Sequence, residues 1–550
     1  TFFPVNSAGG VSVGSFSRNE ITERNESVNV FLSSTHVINS DVNFSWILGA
    51  QAESFNYTSF GGSSQDFTNP FVGDLRIFGN AEAANESPGL FRQQQRKSAG
   101  YTVLNAELFG QVYLEATGRY ELPSTLSSPV FYPSASAGWV FTNNLQSNAI
   151  SFGKLRASYG EVGIEPVPYA NLTTFGAFDR SSSWGDGLNA ATYGNPYARS
   201  SRAGNPDLQP ERVREFEIGG DFRFFNDLVN LGATYYSRTT KGALLAIDLA
   251  PSTGFGDVWR NAGEISNKGL EIDAGIRLVK SRGLEWRIDA NFSQNRNIVE
   301  SLSGVQSIFL NGFTGTSSRV VEGEPFGTLW GGKWARDNGG NFVLDENGFP
   351  TVAAEEGILG DPNPQWRGGI GTNLSYKGIT FSAQFETFQG ASMWAGTQGV
   401  LNYFGISQES ANEFTTTEEL RTVDGRTVAA GTLVRGNVQD FGAGNVLLDS
   451  EWYTGIGGGF GPVGEQYVVD GSWTKLREVS VGYEIPTSLI EKAKLTSASV
   501  SLTGRNLFIW SPFDGNDPET NLTGASRGRG LDYFNNPGMG SYMLTVRLGF

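Results

Sequence analysis

The chain has 550 residues with 40 Lys and Arg against 56 Asp and Glu, a net charge of −16 that argues against nucleic acid as a partner, since nucleic acid calls for a basic face. Cysteine is absent and histidine occurs once, at His36. Disulfides, zinc-thiolate and iron-sulfur centres and thiol nucleophiles are therefore excluded, and no Ser-His or Cys-His catalytic pair is available. Aromatics make up 13% of the residues, Gly contributes 72 and charged residues only 17%, a mixture suited to many strands, tight turns and interfacial aromatic girdles. No run approaches the roughly 18 apolar residues of a membrane helix, a test that a β-barrel escapes because only every second residue of its strands must be apolar. No composition shift or linker divides the chain, so one β-structure over residues 1–550, without a separate soluble domain, is expected. The absence of a signal peptide before Thr1 is expected of a mature or truncated exported chain.

In chain order, about sixteen strands are expected. The first lie near Val11 to Phe16, Val28 to Ser34, Val42 to Phe55, Thr102 to Leu108, Val112 to Tyr120, Phe131 to Phe141 and Ile150 to Tyr159. His36 is expected in a short turn between the second and third. A strand at Phe216 to Phe224 sets Phe216, Ile218, Phe222 and Phe224 against Glu215, Glu217, Asp221 and Arg223. Val229 to Tyr236 follows, then Leu270 to Leu278 and Leu284 to Phe292, whose alternate positions carry Glu271, Asp273, Arg277, Glu285, Arg287 and Asp289. Arg367 to Tyr376, Ile379 to Thr387, Thr474 to Tyr483, Ser497 to Leu507 and Ser541 to Phe550 complete the set. In the last, Tyr542, Leu544, Val546, Leu548 and Phe550 share one face. A sheet that is apolar on one face and charged on the other fits a wide wet lumen or a polar plug better than a packed sandwich core.

Connection lengths alternate. Long connections are expected at Asn56 to Ser98, Glu161 to Pro210, Lys241 to Ile265, Asn297 to Gln365, Gly390 to Gly471 and Ser511 to Gly540. Tight ones are expected at Phe109 to Gln111, Asn143 to Asn148, Phe225 to Asp227, Lys280 to Gly283, Lys377-Gly378 and Pro486 to Lys494. Long loops on one rim and short turns on the other are the outer-membrane pattern, with the short turns periplasmic and the C-terminus beside them. The expected fold is an all-β transmembrane antiparallel barrel.

Catalytic chemistry finds little support. Paired carboxylates for glycoside hydrolysis are conceivable among the 56 acids, but lumenal ion pairs or plug contacts account better for Glu215, Glu217 and Asp221. Gly327 to Lys333 fits GxxxxGK yet continues with Trp334 in place of the Mg²⁺-binding hydroxyl, and lacks a strand-to-helix setting. Asp337 to Gly348, DNGGNFVLDENG, departs from the EF-hand pattern at Gly339; turn chemistry is the favoured account, with a loop-bound Ca²⁺ as a weaker one. No metal or other cofactor is expected. Ligand contact is assigned to loop aromatics: Trp184, Trp259, Trp330, Trp334, Trp394 and Trp452, with Tyr193, Tyr403 and Tyr453 beside them. Flat rings stack on sugar faces or pack on peptide side chains; the competing account is that they pack the loops together or sit in a girdle. Gly455 to Gly461, GIGGGFG, reads as a hinge-like element.

The ordered set NPDLQPER (Asn205 to Arg212), ISNKGLEID (Ile265 to Asp273), GDPNPQWRGGI (Gly360 to Ile370), DGSWTKLREVSVGYEIP (Asp470 to Pro486), SLTGRNLFIWSPFDGNDPE (Ser501 to Glu519) and FYPSASAGWVF (Phe131 to Phe141) resembles the barrel of SusC/RagA-type TonB-dependent outer-membrane transporters of Bacteroidetes. The resemblance implies the C-terminal part of a barrel of about 22 strands, preceded in the family by a plug and a TonB-contacting segment. It implies uptake of a bulky nutrient, oligosaccharide first and oligopeptide second, with a SusD-like surface lipoprotein on the external loops and no enzymatic step. It further implies that Tyr542 and Phe550, on the terminal aromatic strand, are read by the barrel assembly machinery. A passive porin and a secreted carbohydrate-binding β-protein are the alternatives of other classes.

Overall fold

Alternation of apolar and polar residues builds long strands here. A computed structural model describes residues 14–69, 78–145, 147–177, 180–182, 185–188, 197–281, 283–313, 315–524 and 527–550. Fifteen long strands are β1 Ser15–Asn39, β2 Val42–Gln65, β3 Glu86–Leu108, β4 Val112–Pro123, β5 Val130–Trp139, β6 Ile150–Ile164, β7 Glu211–Phe224, β8 Val229–Asp248, β9 Asp257–Ser281, β10 Leu284–Leu302, β11 Trp366–Tyr376, β12 Ile379–Gln389, β13 Trp473–Glu484, β14 Ser497–Trp510 and β15 Ser541–Gly549. They follow one another in chain order in a sheet whose sixteenth member is the short Arg202–Ala203, parallel to the start of β9. The chain divides into two compact units, Thr1–Ser136 with Gly160–Arg212 and Leu244–Asn261, and Ala137–Tyr159 with Val213–Ala243 and Ala262–Phe550.

In the first unit, β1 to β4 form an antiparallel meander in regular register, Val28 opposite Ala52 and Ala52 opposite Ser98. Large apolar side chains stand in the open along β1, at Val28, Val30, Phe31 and Leu32. The charged residues of this unit pair among themselves: Lys97 Nζ lies 2.6 Å from Glu165, and Arg119 Nη2 lies 2.6 Å from Glu121. In the second unit, β9 to β15 continue the same scheme, down to Leu502 opposite Leu544. On β15, Tyr542 is 79% exposed, Leu544 69%, Val546 60% and Leu548 51%. Rows of large apolar side chains without protein cover are costly in water and are what a hydrocarbon solvent demands of a sheet. Among the described residues, no helix is long and apolar enough to cross a membrane, which bears on helices alone.

Turn chemistry follows the tight connections. Lys377 and Gly378, both at positive φ (48° and 86°), close a two-residue hairpin between Tyr376 and Ile379, the geometry whose twist matches the flanking strands. Phe109 and Gly110 (57° and 63°) and Phe225, Asn226 and Asp227 (53°, 55° and 64°) turn other tight ends in the same left-handed region.

The structure corrects several expectations. The strands expected at Val11 to Phe16 and Val28 to Ser34 are one strand from Ser15 onward, residues 11–13 lying outside the described set. His36 is in that strand, opposite Phe44, and not in the turn. The connections expected at Asn56 to Ser98 and Lys241 to Ile265 shrink to residues 66–85 and 249–256, because β2, β3, β8 and β9 run on. The extensions of β1 and β2 are mostly polar and give little alternation to tell them from a loop, whereas those of β8 and β9 carry apolar residues, among them Ala243, Ile247, Val258 and Ala262, that are buried.

Candidate functional site

Three long connections of the second unit, residues 303–365, 390–472 and 511–540, fold into structure of their own. The first makes a four-stranded sheet of Ser307–Gly312, Thr316–Val321, Thr328–Gly331 and Gly357–Gly360. The other two share a sheet in which Ser392–Ala395 lies between Val468–Asp470 and Leu531–Asp532. Connections of this length are ordered only when they bury a core, and two such cores join them. One gathers Trp334, Phe349, Val446, Leu448, Trp452, Tyr453 and Val463; the other gathers Leu329, Trp394, Tyr467 and Leu531. Trp452 is fully buried, its ring stacked on Trp334 at 5.7 Å and flanked by Phe349 at 5.4 Å and Phe441 at 5.6 Å. It stands on the short helix Ser450–Thr454, whose start is capped by the Asp449 carboxylate accepting from the N–H groups of Glu451 and Trp452.

The expected ligand residues fall in different settings. Trp184 and Tyr193 lie outside the described residues. Trp259, expected in a loop, is the third residue of β9, with the Arg202 guanidinium 5.1 Å from its ring. Trp334, Trp452 and Tyr453 are buried in a core that packs two of the loops together. Burial pushes the Tyr453 phenol up to about 12, and its oxygen accepts from Asn437 Nδ2 at 2.8 Å. Tyr467, missed from the sequence, is raised by burial too and donates to the Gly457 carbonyl at 2.8 Å. Glycines 455–461 are packing elements and not a hinge: a Cβ on Gly457 would lie 2.0 Å from the Trp452 ring, and one on Gly459 would lie 2.2 Å from the backbone of Gly399. In the calcium-like segment the Asp337 carboxylate accepts from the N–H groups of Gly339 and Asn341, and Asp345 from those of Asn347 and Phe349, so both close their own turns. Of the acids weighed for hydrolysis, Asp221 pairs with Arg156 at 3.3 Å and Glu217 accepts from Ser158 at 3.5 Å.

The loops enclose a cleft of about 730 Å³, within the range of small-molecule sites of about 300–1,000 Å³. Phe309, Phe313, Phe460 and Tyr533 line it with their rings, Phe313 and Tyr533 having centroids 4.5 Å apart. Gly312, Gly315, Gly464 and glycines 458, 459 and 461 bring backbone close to its floor. Among the described residues, Trp394 is the one expected ligand residue in its lining. Trp330 acts from behind: its Nε1–H donates to Glu356 at 3.0 Å, and the Arg319 guanidinium stands 5.6 Å from its ring. Arg319 and Glu356 both line the cleft. Arg319 donates through Nε to Ser317 at 3.1 Å and through Nη1 to Ser307 at 3.3 Å, and its Nη2 lies 3.6 Å from Glu356. Two further lining residues, Thr316 and Trp394, hold buried polar atoms, Oγ1 and Nε1, without a hydrogen-bond partner.

Elsewhere in this unit a polar recess of about 470 Å³ opens on the charged sheet face, among Asn230, Asp273, Arg287, Asp289, Asn373 and Glu478. The Arg287–Asp289 pair (2.7 Å) and the Glu478–Arg505 pair (2.8 Å) there are part-exposed and contribute little stability singly; together they make a wet face. A denser network joins β13 to the last connection. Lys475, only 5% exposed, donates to Asp517 at 2.7 Å and to Glu519; Arg477 pairs with Glu519 and, at 2.6 Å, with Glu386. The DGSWTKLRE and DPE segments, separate in the sequence, are thus two halves of one ionic junction.

A family model described as "TonB dependent receptor-like, beta-barrel" matches residues 3–507. The chain belongs to this family. TonB-dependent receptor P26 of Formosa agariphila is 27% identical to it over 511 residues, 85% of this chain and 48% of the relative. TonB-dependent receptor SusC of Bacteroides thetaiotaomicron is 22% identical over 442 residues, 76% of this chain and 40% of the relative. The chain thus spans about half the length of the curated TonB-dependent receptors it matches. Among solved structures, that of the RagAB peptide transporter shares the fold with a TM-score of 0.74 at 19% identity, over 97% of this chain and 56% of that one. These barrels reside in the outer membrane, which accounts for the exposed apolar rows of the TonB-dependent receptor strands described above.

Proposed function

We propose that the chain is the C-terminal barrel portion of a TonB-dependent importer that carries a bulky nutrient, in first place an oligosaccharide, across the outer membrane. A SusD-like surface lipoprotein would cover its long loops, TonB would act through the region ahead of the barrel, and no enzymatic step is assigned to it. The observation that carries this reading is the open aromatic cleft in an ordered loop body, set on a sheet whose apolar face is exposed. A passive porin has no use for a cleft ordered by two aromatic cores, and a secreted β-protein would expose the apolar rows to water. Oligopeptide is the second reading: Phe309, Phe313 and Phe460 would take apolar side chains as readily as sugar faces, and one neighbour in fold is described as a peptide transporter.

Deleting the gene in its native host is expected to abolish growth on the cognate oligosaccharide while leaving growth on its monosaccharide intact; a protonophore is expected to stop uptake in the parent. Loss on peptides alone would move the assignment to the second reading, and unimpaired growth on both would sink the importer reading. Phe550, 90% exposed at the chain end, and Tyr542 on the same row are assigned to recognition by the assembly machinery. Phe550→Asp is expected to lower the heat-modifiable, membrane-inserted protein at least severalfold, and normal insertion of this variant would remove that role.

A further inference from the structure

We infer that Asn311 is a site of spontaneous modification: its side-chain amide is set for attack by the backbone nitrogen of Gly312, which converts it to aspartate or isoaspartate in the folded protein. The chain has three Asn-Gly pairs, Asn311-Gly312, Asn338-Gly339 and Asn347-Gly348. A glycine has no Cβ to shield its nitrogen from the side chain before it, so each pair is open to this chemistry in an unfolded chain. In the folded one they differ in where the glycine N–H points. That of Gly339 donates to the Asp337 carboxylate at 2.8 Å, and that of Gly348 to the Asp345 carbonyl at 3.2 Å. That of Gly312 donates to Oδ1 of Asn311 itself, at 2.8 Å. A C=O bond is about 1.2 Å long, so the nitrogen lies within about 4 Å of the amide carbon, and a small rotation of the amide brings it to the roughly 3–3.5 Å of a near-attack geometry.

The fold builds this arrangement. Ser307–Gly312 is an edge strand of its four-stranded sheet. Phe313 donates to the Thr316 carbonyl at 2.8 Å, so the next rung, Gly312 opposite Ser317, is a non-bonded pair whose N–H turns away from the ladder. The other end of the amide is held as well: Asn311 Nδ2 donates to the hydroxyl of Thr523, 212 residues further on, which leaves Oδ1 toward Gly312. Gly312 has a φ of 132°, and a Cβ there would lie 2.6 Å from Ser317 Cα, so the fold requires the glycine that makes the bond labile.

In the reaction Gly312 N loses its proton to hydroxide and bonds to Cγ of Asn311. The tetrahedral carbon then expels Nδ2, which takes a proton from water and leaves as ammonia. Water opens the five-membered imide at one carbonyl to give aspartate, or at the other to give isoaspartate, which adds a carbon to the main chain. The sum is amide plus water to acid plus ammonia, without oxidation or reduction. Either product sets a carboxylate beside Phe309, Gly312 and Phe313, three residues of the cleft lining, whose charged residues among those described are Arg319 and Glu356. The cleft therefore gains negative charge as the protein ages, whatever its ligand.

The test is incubation of the detergent-solubilised full-length protein at neutral and mildly alkaline pH, with peptides mapped over time by mass spectrometry and isoaspartate counted by enzymatic methylation. In the folded protein Asn311, half-buried, is expected to convert at least severalfold faster than the more exposed Asn338 and than Asn347, and faster at the higher pH. In urea the three rates are expected to converge. Thr523→Val is expected to slow Asn311 severalfold toward the other two, and Thr523→Ser to keep the parent's rate. Both variants are first required to show the parent's heat-modifiable migration. Equal rates at the three sites in the folded protein, or Asn311 the slowest, would overturn the inference. An unchanged rate in Thr523→Val would overturn the part given to the Thr523 hydroxyl. The growth experiment on the importer reading does not depend on any of these results.

Discussion

Trp452→Ala is expected to unfold the loop body of residues 303–365 and 390–472 while the sheet keeps its heat-modifiable migration. A fully buried Trp touching Trp334, Phe349 and Phe441 leaves a cavity that the glycine-lined surroundings cannot fill, and such truncations cost about 3–5 kcal/mol. A loop body lacks the margin to absorb that loss. Amide hydrogen exchange should rise along residues 437–467, and limited proteolysis should open at Arg421 and Arg426, which lie in the same connection. Trp452→Phe is expected to do far less harm, because the indole Nε1 it removes has no hydrogen-bond partner. Equal protection in the alanine variant and the parent would show that the aromatic core does not order the loops.

Lys475→Met is the second large effect, centred on the connection 511–540. Removing the cation strands Asp517 and part of Glu519 in a buried setting, and breaking a buried pair from one side costs about 3–5 kcal/mol. Exchange in residues 511–540 should rise, and because Leu531–Asp532 pairs with Trp394 and Ala395, the wall of the cleft should loosen with it. Lys475→Met with Asp517→Asn is expected to recover part of the loss, since the orphaned charge is then gone; no recovery would mean that the lysine acts through packing on Trp473, 5.1 Å away. The same junction predicts a pH response. Burial by itself would raise both carboxyls, but hydrogen bonds from Lys475 and the N–H groups of Glu519 and Gly538 hold Asp517 below its usual range, and those from Arg477 and Lys475 do the same for Glu519. A depressed carboxylate stabilises above its unfolded value, near about 4, and loses that contribution as pH falls through the folded one. Protection of residues 511–540 should therefore be flat from neutral pH to about 5 and fall below about 4. A fall starting near neutrality would exclude these carboxylates as the cause.

How far the reading of residues reached varies from element to element. The connection 511–540 and the Lys377-Gly378 hairpin lie where the alternation stops and the turn residues stand. The outer ends of β2, β3, β8 and β9 were not legible, because their apolar residues, such as Leu90 with Phe91 and Leu244 with Leu245, stand side by side and do not alternate with polar ones. Trp394 and Trp452 look alike as loop tryptophans and both are buried in cores, yet Trp394 also borders the cleft. Arg319, Glu356 and Thr316 carried no signal, and Phe460 entered only within a glycine run taken for a hinge. Their common setting is made by segments up to 144 residues apart, from Thr316 to Phe460, and no local period links them.

By itself the sequence determined a two-sided antiparallel sheet, its tight turns, its acidic, cysteine-free character and the family likeness of its closing motifs, since adjacent side chains on a strand must point to opposite faces and each such segment reports its own surroundings. Only the tertiary structure decided which aromatics are core and which border a cleft, that DGSWTKLRE and DPE form one ionic junction, and that the cleft between the loops holds one Arg and one Glu. Burial inside long connections is set by contacts between distant segments, and a glycine or tryptophan there is the same letter whether it meets protein or open space.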